Sequence, residues 1–219
     1  MNAICDVRVL VFAKAPIPGF AKTRLIPLLG AGGAARLQAE LIRHTVNCCR
    51  DAATGPVESW VTPDTDHACF RACAEIYGTS LFLQRGGDLG ERMRHALSSA
   101  LGRSRAALLV GTDAPTLCPE DLRQGADALI GGYDAVISPA LDGGYVLIGL
   151  RRADPRVFAG IDWGTGRVLS QTRERFTTLG WRWEELNSHE DIDRPEDWLR
   201  LCAALPEWQQ RVQGEPPSA

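Results

Sequence analysis

A three-layer α/β fold, a mostly parallel sheet with helices on both faces, follows from two observations in this 219-residue chain. Short apolar runs alternate with longer amphipathic stretches, the order expected of strand–helix–strand crossover units. Runs such as Val-Leu-Val-Phe-Ala and Ala-Leu-Leu-Val-Gly show no in–out alternation, as strands buried on both faces require.

In order, the apolar runs predict strands over Val7–Ala13, Val57–Thr62, Ser80–Leu83, Ala107–Gly111, Ala135–Ser138 and Tyr145–Leu150. The last follows Asp142-Gly143-Gly144, a turn sequence, which makes it an antiparallel addition to the sheet. Helical periodicity predicts Ala31–Ala53, Asp64–Tyr77, Leu89–Leu101, Pro119–Ile130, Thr165–Leu179 and Pro195–Ala203. With no internal repeat and no Pro/Gly/Ser linker, residues 1–212 read as one domain and residues 213–219 as a frayed tail.

Composition narrows the function classes. The chain is 45% apolar and 23% charged, which excludes a disordered, collagen-like or coiled-coil protein. Its net charge of −3 argues against nucleic acid or an anionic membrane as main partner, so any anion site must be a local cluster of Lys and Arg. No apolar run approaches the roughly 18 residues of a membrane span. The run Val7–Ala13 is also too short for a signal-peptide core, so the expected location is cytoplasmic. Seven cysteines, an odd count without a C-x-x-C pair, read as free thiols. His67, Cys69 and Cys73 come closest to a metal cluster but lack a fourth ligand at zinc spacing.

In open α/β sheets ligands bind beyond the carboxyl ends of the strands, so the informative loops are those that follow strands. The first holds Lys14, Gly19, Lys22, Thr23 and Arg24, stiffened by two prolines. Arg bridges two phosphate oxygens and Lys supplies a compact charge, a combination suited to a polyphosphate. It is not a P-loop: Pro16 and Ala21 occupy the glycine positions, and Pro27 is expected to interrupt any helix straight after. The alternative is a solvated loop.

Gln84, Gly86, Gly87, Asp88 and Gly90 join the third strand to a helix. The glycines would let backbone lie against a flat ligand, and the Gln84 amide would read a base edge. Arg85 stands where a dinucleotide fingerprint needs its first glycine, which argues against a Rossmann dehydrogenase. An ordinary strand-to-helix turn is the competing reading. Gly111-Thr112-Asp113 closes the most apolar strand, where a carboxylate suits Mg²⁺ held jointly with substrate phosphates. Asp142 has a turn as its alternative role, and Asp193 and Thr165 have helix capping. The four histidines form no pattern, and no nucleophile elbow is present.

Six motifs in order resemble the bacterial glycosyltransferase-like family of the nucleotide-diphospho-sugar transferase superfamily, which includes arsenosugar-biosynthesis glycosyltransferases. They are K-A-P-x-P-G-x-x-K-T-R-L (Lys14–Leu25), Q-x-G-x-D-L-G-E-R-M (Gln84–Met93), G-T-D-x-P (Gly111–Pro115), P-A-x-D-G-G-Y (Pro139–Tyr145), W-x-T-x-x-V-L (Trp163–Leu169) and D-I-D-x-P-E-D (Asp191–Asp197). The family is similar to 2-phospho-L-lactate guanylyltransferase and, more distantly, to molybdenum-cofactor and isoprenoid nucleotidyltransferases. The resemblance spans about Val7 to Leu201 and implies a glycosyltransferase-A-like fold that binds a nucleotide across the first half of the sheet.

Carried over by position, the resemblance implies that Lys14, Lys22 and Arg24 meet the phosphates, with Gly19 and Thr23 in the same loop. Gln84, Gly87 and Asp88 would line the base and ribose pocket, and Asp113 and Asp193 would hold Mg²⁺ or Mn²⁺. Asp142, Gly143, Gly144 and Tyr145 would face the acceptor, with Trp163 and Thr165 nearby. Lys22, Arg24, Asp113 and Asp142 would carry the chemistry. Ala114 departs from the small polar residue common in the family. The expected partners are a nucleotide and a small acceptor, in a chain that is free to form a homo-oligomer.

The expected reaction is metal-dependent nucleotidyl transfer onto a small phosphorylated or hydroxylated acceptor with pyrophosphate release. Three cations after the first strand suit a triphosphate, and a D-x-D motif is missing at Asp113, where Pro115 takes the second acidic position. The alternatives are sugar transfer from an NDP-sugar, and a nucleotide-binding module without turnover.

Overall fold

The computed structural model describes residues 5–213. Seven strands form a single sheet in the order β3-β2-β1-β4-β6-β5-β7. They are β1 (Cys5–Lys14), β2 (Val57–Thr62), β3 (Ser80–Leu83), β4 (Ser104–Gly111), β5 (Ala135–Pro139), β6 (Tyr145–Leu150) and β7 (Trp183–Glu185). The pairs β1–β2, β2–β3, β1–β4 and β5–β7 are parallel; β6 runs antiparallel to both β4 and β5. The antiparallel strand expected after the Asp-Gly-Gly turn thus lies inside the sheet, with Leu109 and Ile137 both opposite Ile148.

Both faces of the sheet are covered. Val7, Val9, Val11 and Ala13 of β1 pack with α1 (Ile26–Ala52), α2 (Ala68–Tyr77) and α4 (Pro119–Ile130). Leu10 and Phe12 point the other way, towards α3 (Leu89–Leu101) and α5 (Val168–Thr178). Each fully buried Leu or Val contributes about 1.5–3 kcal/mol relative to exposure, so both faces must be apolar. A further layer lies on α1, where α6 (Pro195–Ala204) and α7 (Glu207–Gln213) bury Trp198, Leu201, Trp208 and Val212 against Leu25, Leu37 and Leu41.

Local chemistry moves several boundaries. Pro27 does not interrupt the helix after the first loop: α1 begins at Ile26 with Pro27 in its first turn, where no amide donor is needed. The break falls at Gly30 (φ 67°), so the expected start at Ala31 is the start of the second segment. The expected Asp64 start gives way to Ala68, because Asp64 Oδ1 accepts from Asp66 N in a turn and His67 Nδ1 caps the helix by accepting from Cys69 N. His67 is therefore a capping residue. Thr165–Leu179 shortens to Val168–Thr178. The strand β7 and helix α7 were not foreseen, and α7 includes Gln213, the first residue of the expected tail; residues 214–219 lie outside the described residues. Among the described residues no helix is long and apolar enough to cross a membrane.

Candidate nucleotide and metal site

A cavity of about 730 Å³ opens at the carboxyl ends of β1, β2 and β4, beside the start of β6. Its first wall is the loop after β1. Ala15 N donates to Thr62 O, Ala21 N donates to Ile17 O, and Gly19 (φ 84°) makes the bend that a side chain would resist. Lys22 adopts the left-handed region (φ 46°, ψ 45°), a strained choice for a residue other than glycine. That backbone turns its side chain inward until only 4% is exposed. There Nζ lies 2.7 Å from Asp113 Oδ1 and donates to Ile192 O at 2.6 Å. Arg24 pairs with Asp193. Lys14 Nζ instead donates to Phe20 O at 2.8 Å.

The opposite wall carries carboxylates from distant parts of the chain. Asp113 follows β4, half-exposed, and its carbonyl accepts from Ile192 N at 2.8 Å. Residues 186–191 are laid along β5 and its end: Leu186 N donates to Ile137 O, His189 N to Pro139 O, and Leu141 N to His189 O. His189, for which the histidine spacing shows no pattern, has a defined place here. It is buried, with Nδ1 3.0 Å from Thr116 Oγ1 and Nε2 3.3 Å from Asp121 Oδ2. Ile192 is buried in the α1–α6–α7 core, while Asp191 and Asp193 on either side of it line the cavity. Burial, with the Asp142 and Asp113 carboxylates alongside, pushes the Asp191 carboxyl up to about 6 against the opposing pull of Lys22.

Asp193 does not cap α6. Arg194 is the cap residue, and Asp197 Oδ2 accepts from both Asp193 N (3.0 Å) and Arg194 N (2.6 Å). The Asp193 side chain is thereby left to the cavity. Hard oxygen donors crowded enough to raise Asp191 are the donor chemistry that Mg²⁺ or Mn²⁺ takes. No group of three or more His, Cys, Asp or Glu side chains among the described residues forms a metal site by itself. The fit is therefore to one or two carboxylates completed by ligand phosphates.

The Gly-rich loop builds more than it exposes. Gly87 and Asp88, like Gly19 and Gly143, are absent from the cavity wall. Asp88 Oδ1 caps α3 by accepting from Glu91 N at 2.7 Å, and Glu91 Oε2 accepts from Gly87 N at 2.7 Å. Gln84 does line the cavity, but its amide nitrogen is committed to Trp60 O at 2.9 Å. Gly90 has a packing reason: a Cβ there would come within 2.7 Å of the Trp163 ring.

The Asp142 turn and the Trp163 loop clamp each other. Gly144 N donates to Asp142 Oδ1 at 2.8 Å, and a Cβ on Gly143 (φ 91°) would lie 2.3 Å from Gly166 O. Thr165 Oγ1 donates to Asp162 O and accepts from Arg167 N, so it shapes the loop before α5 while also lining the cavity. The Tyr145 hydroxyl is 3.8 Å from Met93 Sδ, and burial holds its pKa far above the usual phenol value, so it is neutral. Phe20 and Arg92, which have no expected role, line the cavity, and so does Asp191, the first aspartate of the literal D-x-D at Asp191-Ile192-Asp193. Arg92 and Asp191 lie inside two of the six motifs, the signal that could have found them.

Sheet order and a cavity of mixed charge at the strand ends define an α/β fold of the nucleotide-diphospho-sugar transferase type. The chain belongs to the bacterial family described as "Uncharacterized protein conserved in bacteria (DUF2064)", matched over residues 45–165. That stretch includes the Gly-rich, Asp113 and Asp142 loops but neither the β1 loop nor Asp191–Asp197. Among solved structures, a Desulfovibrio desulfuricans G20 protein provisionally assigned as a nucleotide-diphospho-sugar transferase is 28% identical, with 94% of this chain and 96% of that one covered and a TM-score of 0.82. The 4-diphosphocytidyl-2C-methyl-D-erythritol synthase of Anaerococcus prevotii DSM 20548 is 11% identical (92% and 98% covered, TM-score 0.60). The glucosyl-3-phosphoglycerate synthase of Mycobacterium tuberculosis, solved with Mn²⁺, UDP and glucosyl-3-phosphoglycerate, is 13% identical (99% and 83% covered, TM-score 0.53). The last two likenesses concern the fold alone. No curated protein sequence matches the chain.

Proposed function

We propose that this protein is a metal-dependent nucleotidyltransferase, which joins a nucleotide to a small acceptor and releases pyrophosphate. One observation carries the reading: Lys22 with Asp113, and Arg24 with Asp193, face each other across one cavity at the strand ends. These are the charges that a metal–polyphosphate pair would take up, and without ligands they satisfy one another. A kinship with 2-phospho-L-lactate guanylyltransferase would fit, and the six motifs are what support it.

In this reading Lys14, Lys22 and Arg24 neutralise the phosphates, and Asp113 and Asp193 hold Mg²⁺ or Mn²⁺. The ion supplies positive charge to phosphate oxygens that gain negative charge as pyrophosphate departs. An acceptor oxygen forms a bond to the α-phosphorus while the bond to the bridging oxygen of the β-phosphate breaks. Where the acceptor is a hydroxyl, its proton passes to Asp142, whose Oδ1 stays ordered by the Gly144 amide.

Sugar transfer from an NDP-sugar is the second reading, favoured by one fact: both aspartates of Asp191-Ile192-Asp193, a literal D-x-D, line the cavity. A thermal-shift panel of nucleoside triphosphates and NDP-sugars with Mn²⁺ separates the two, because a ligand of the native state raises Tm. Stabilisation by triphosphates supports nucleotidyl transfer. Stabilisation by NDP-sugars alone overturns it.

A further inference from the structure

We propose that Arg92 is the specificity-determining residue for the acceptor, and that the acceptor carries a carboxylate or phosphomonoester that Arg92 binds. The inference rests on the transferase reading above and adds the acceptor's chemical class to it. Four cations line the cavity: Lys14, Lys22, Arg24 and Arg92. Lys22 and Arg24 are already paired with carboxylates. Among the described residues Lys14 and Arg92 have no acidic partner, and they stand on different elements, at the end of β1 and on α3.

Lys14 belongs to the loop of Lys22 and Arg24 and extends the polyphosphate side. Arg92 belongs to another environment. Leu89, Met93, Tyr145 and Trp163 line the same cavity. Met93 joins α3 to the Asp142 loop through the Tyr145 hydroxyl, and Gly90 joins it to the Trp163 ring. The Arg92 guanidinium is oriented by one hydrogen bond, from Nε to Gly86 O at 3.1 Å. Its two terminal nitrogens carry no partner among the described residues. Arg92 is partly exposed and lines the same cavity as these apolar and aromatic side chains, and a fork with both terminal nitrogens unused suits a planar or tetrahedral oxyanion held by two hydrogen bonds. Asp142 lines the same cavity, three residues before the Tyr145 whose hydroxyl reaches Met93, the chain neighbour of Arg92.

The test compares wild type with Arg92→Ala and Arg92→Lys. Each is titrated with glycerol, lactate and glycerol 3-phosphate, with and without Mn²⁺ and a non-hydrolysable triphosphate analogue. The inference expects lactate or glycerol 3-phosphate to bind wild type and glycerol not to; which anion binds identifies the group. Arg92→Ala should weaken that anion by about 10- to 100-fold, the range for a hydrogen-bonded charge, with nucleotide affinity kept within about twofold. Arg92→Lys should recover part of the loss. Three results would each overturn the proposal: unchanged anion affinity in Arg92→Ala, glycerol binding as well as the anions, or a loss of nucleotide affinity instead. Failure of wild type to bind any nucleotide would count against the transferase reading, whereas Arg92-dependent anion binding without nucleotide would still support this one.

Discussion

The two ends of the central sheet carry the same kinds of charged residue in opposite states. Near the amino ends of its strands, Glu58 is buried with 1% exposure. It pairs at 2.7 Å with Arg8 and Arg103 and accepts from Trp60 Nε1 at 3.0 Å. One carboxylate there has two arginines. At the carboxyl ends the pairing is looser: Lys22 meets Asp113 and Arg24 meets Asp193, while Asp142, Asp191, Lys14 and Arg92 line the same cavity outside those pairs, and crowding shows in the raised Asp191. A buried carboxylate held by two arginines serves the fold, while a cluster in which acids and cations are only partly paired keeps capacity for a ligand.

The sharpest way to break this contrast is to truncate each cluster and read stability against binding. Glu58→Ala should cost about 3 kcal/mol in urea unfolding, since it strands two arginines around a buried site, and should leave ligand affinity intact. Asp113→Asn should do the reverse. Its carboxylate is half-exposed and Lys22 keeps its bond to Ile192 O, so the stability cost should be smaller than at Glu58, but nucleotide affinity in the presence of Mn²⁺ should fall about 100-fold, readable by calorimetry.

Because cations and carboxylates partner each other, the metal and the polyphosphate should each free what the other needs. Mn²⁺ and triphosphate should raise each other's affinity by one common factor, about tenfold or more, and Arg24→Ala should shrink it. Equal affinities with and without the co-ligand would end the idea. The smallest effect concerns pH. The folded Asp191 carboxyl sits near 6, above its ordinary 3.8, so the native state holds the proton longer than the unfolded chain. Stability from this group is therefore lost as pH rises through that window. Asp191→Asn should melt higher than wild type above pH 6 and lose that advantage below about pH 4.

Legibility in the sequence followed the range of the forces involved. Three strands and two helices match their expected limits, Val57–Thr62, Ser80–Leu83, Tyr145–Leu150, Leu89–Leu101 and Pro119–Ile130, because apolar runs and turn residues are local signals. The three residues of β7 were missed because the strand they pair with, β5, lies nearly fifty positions earlier. Gly87 and Asp88 were read as pocket lining because a turn that builds a helix cap and one that touches a ligand share the same residues.

By itself, then, the chain determined where strands end and which loops collect cations and carboxylates, since both are written in neighbouring residues. Only the tertiary structure decided who pairs with whom. Lys22 meets Asp113 and Arg24 meets Asp193 across 91 and 169 positions, and Arg92 is left without an acid among the described residues. Charge is a property of a residue, but its compensation depends on distance and burial, which no stretch of sequence contains.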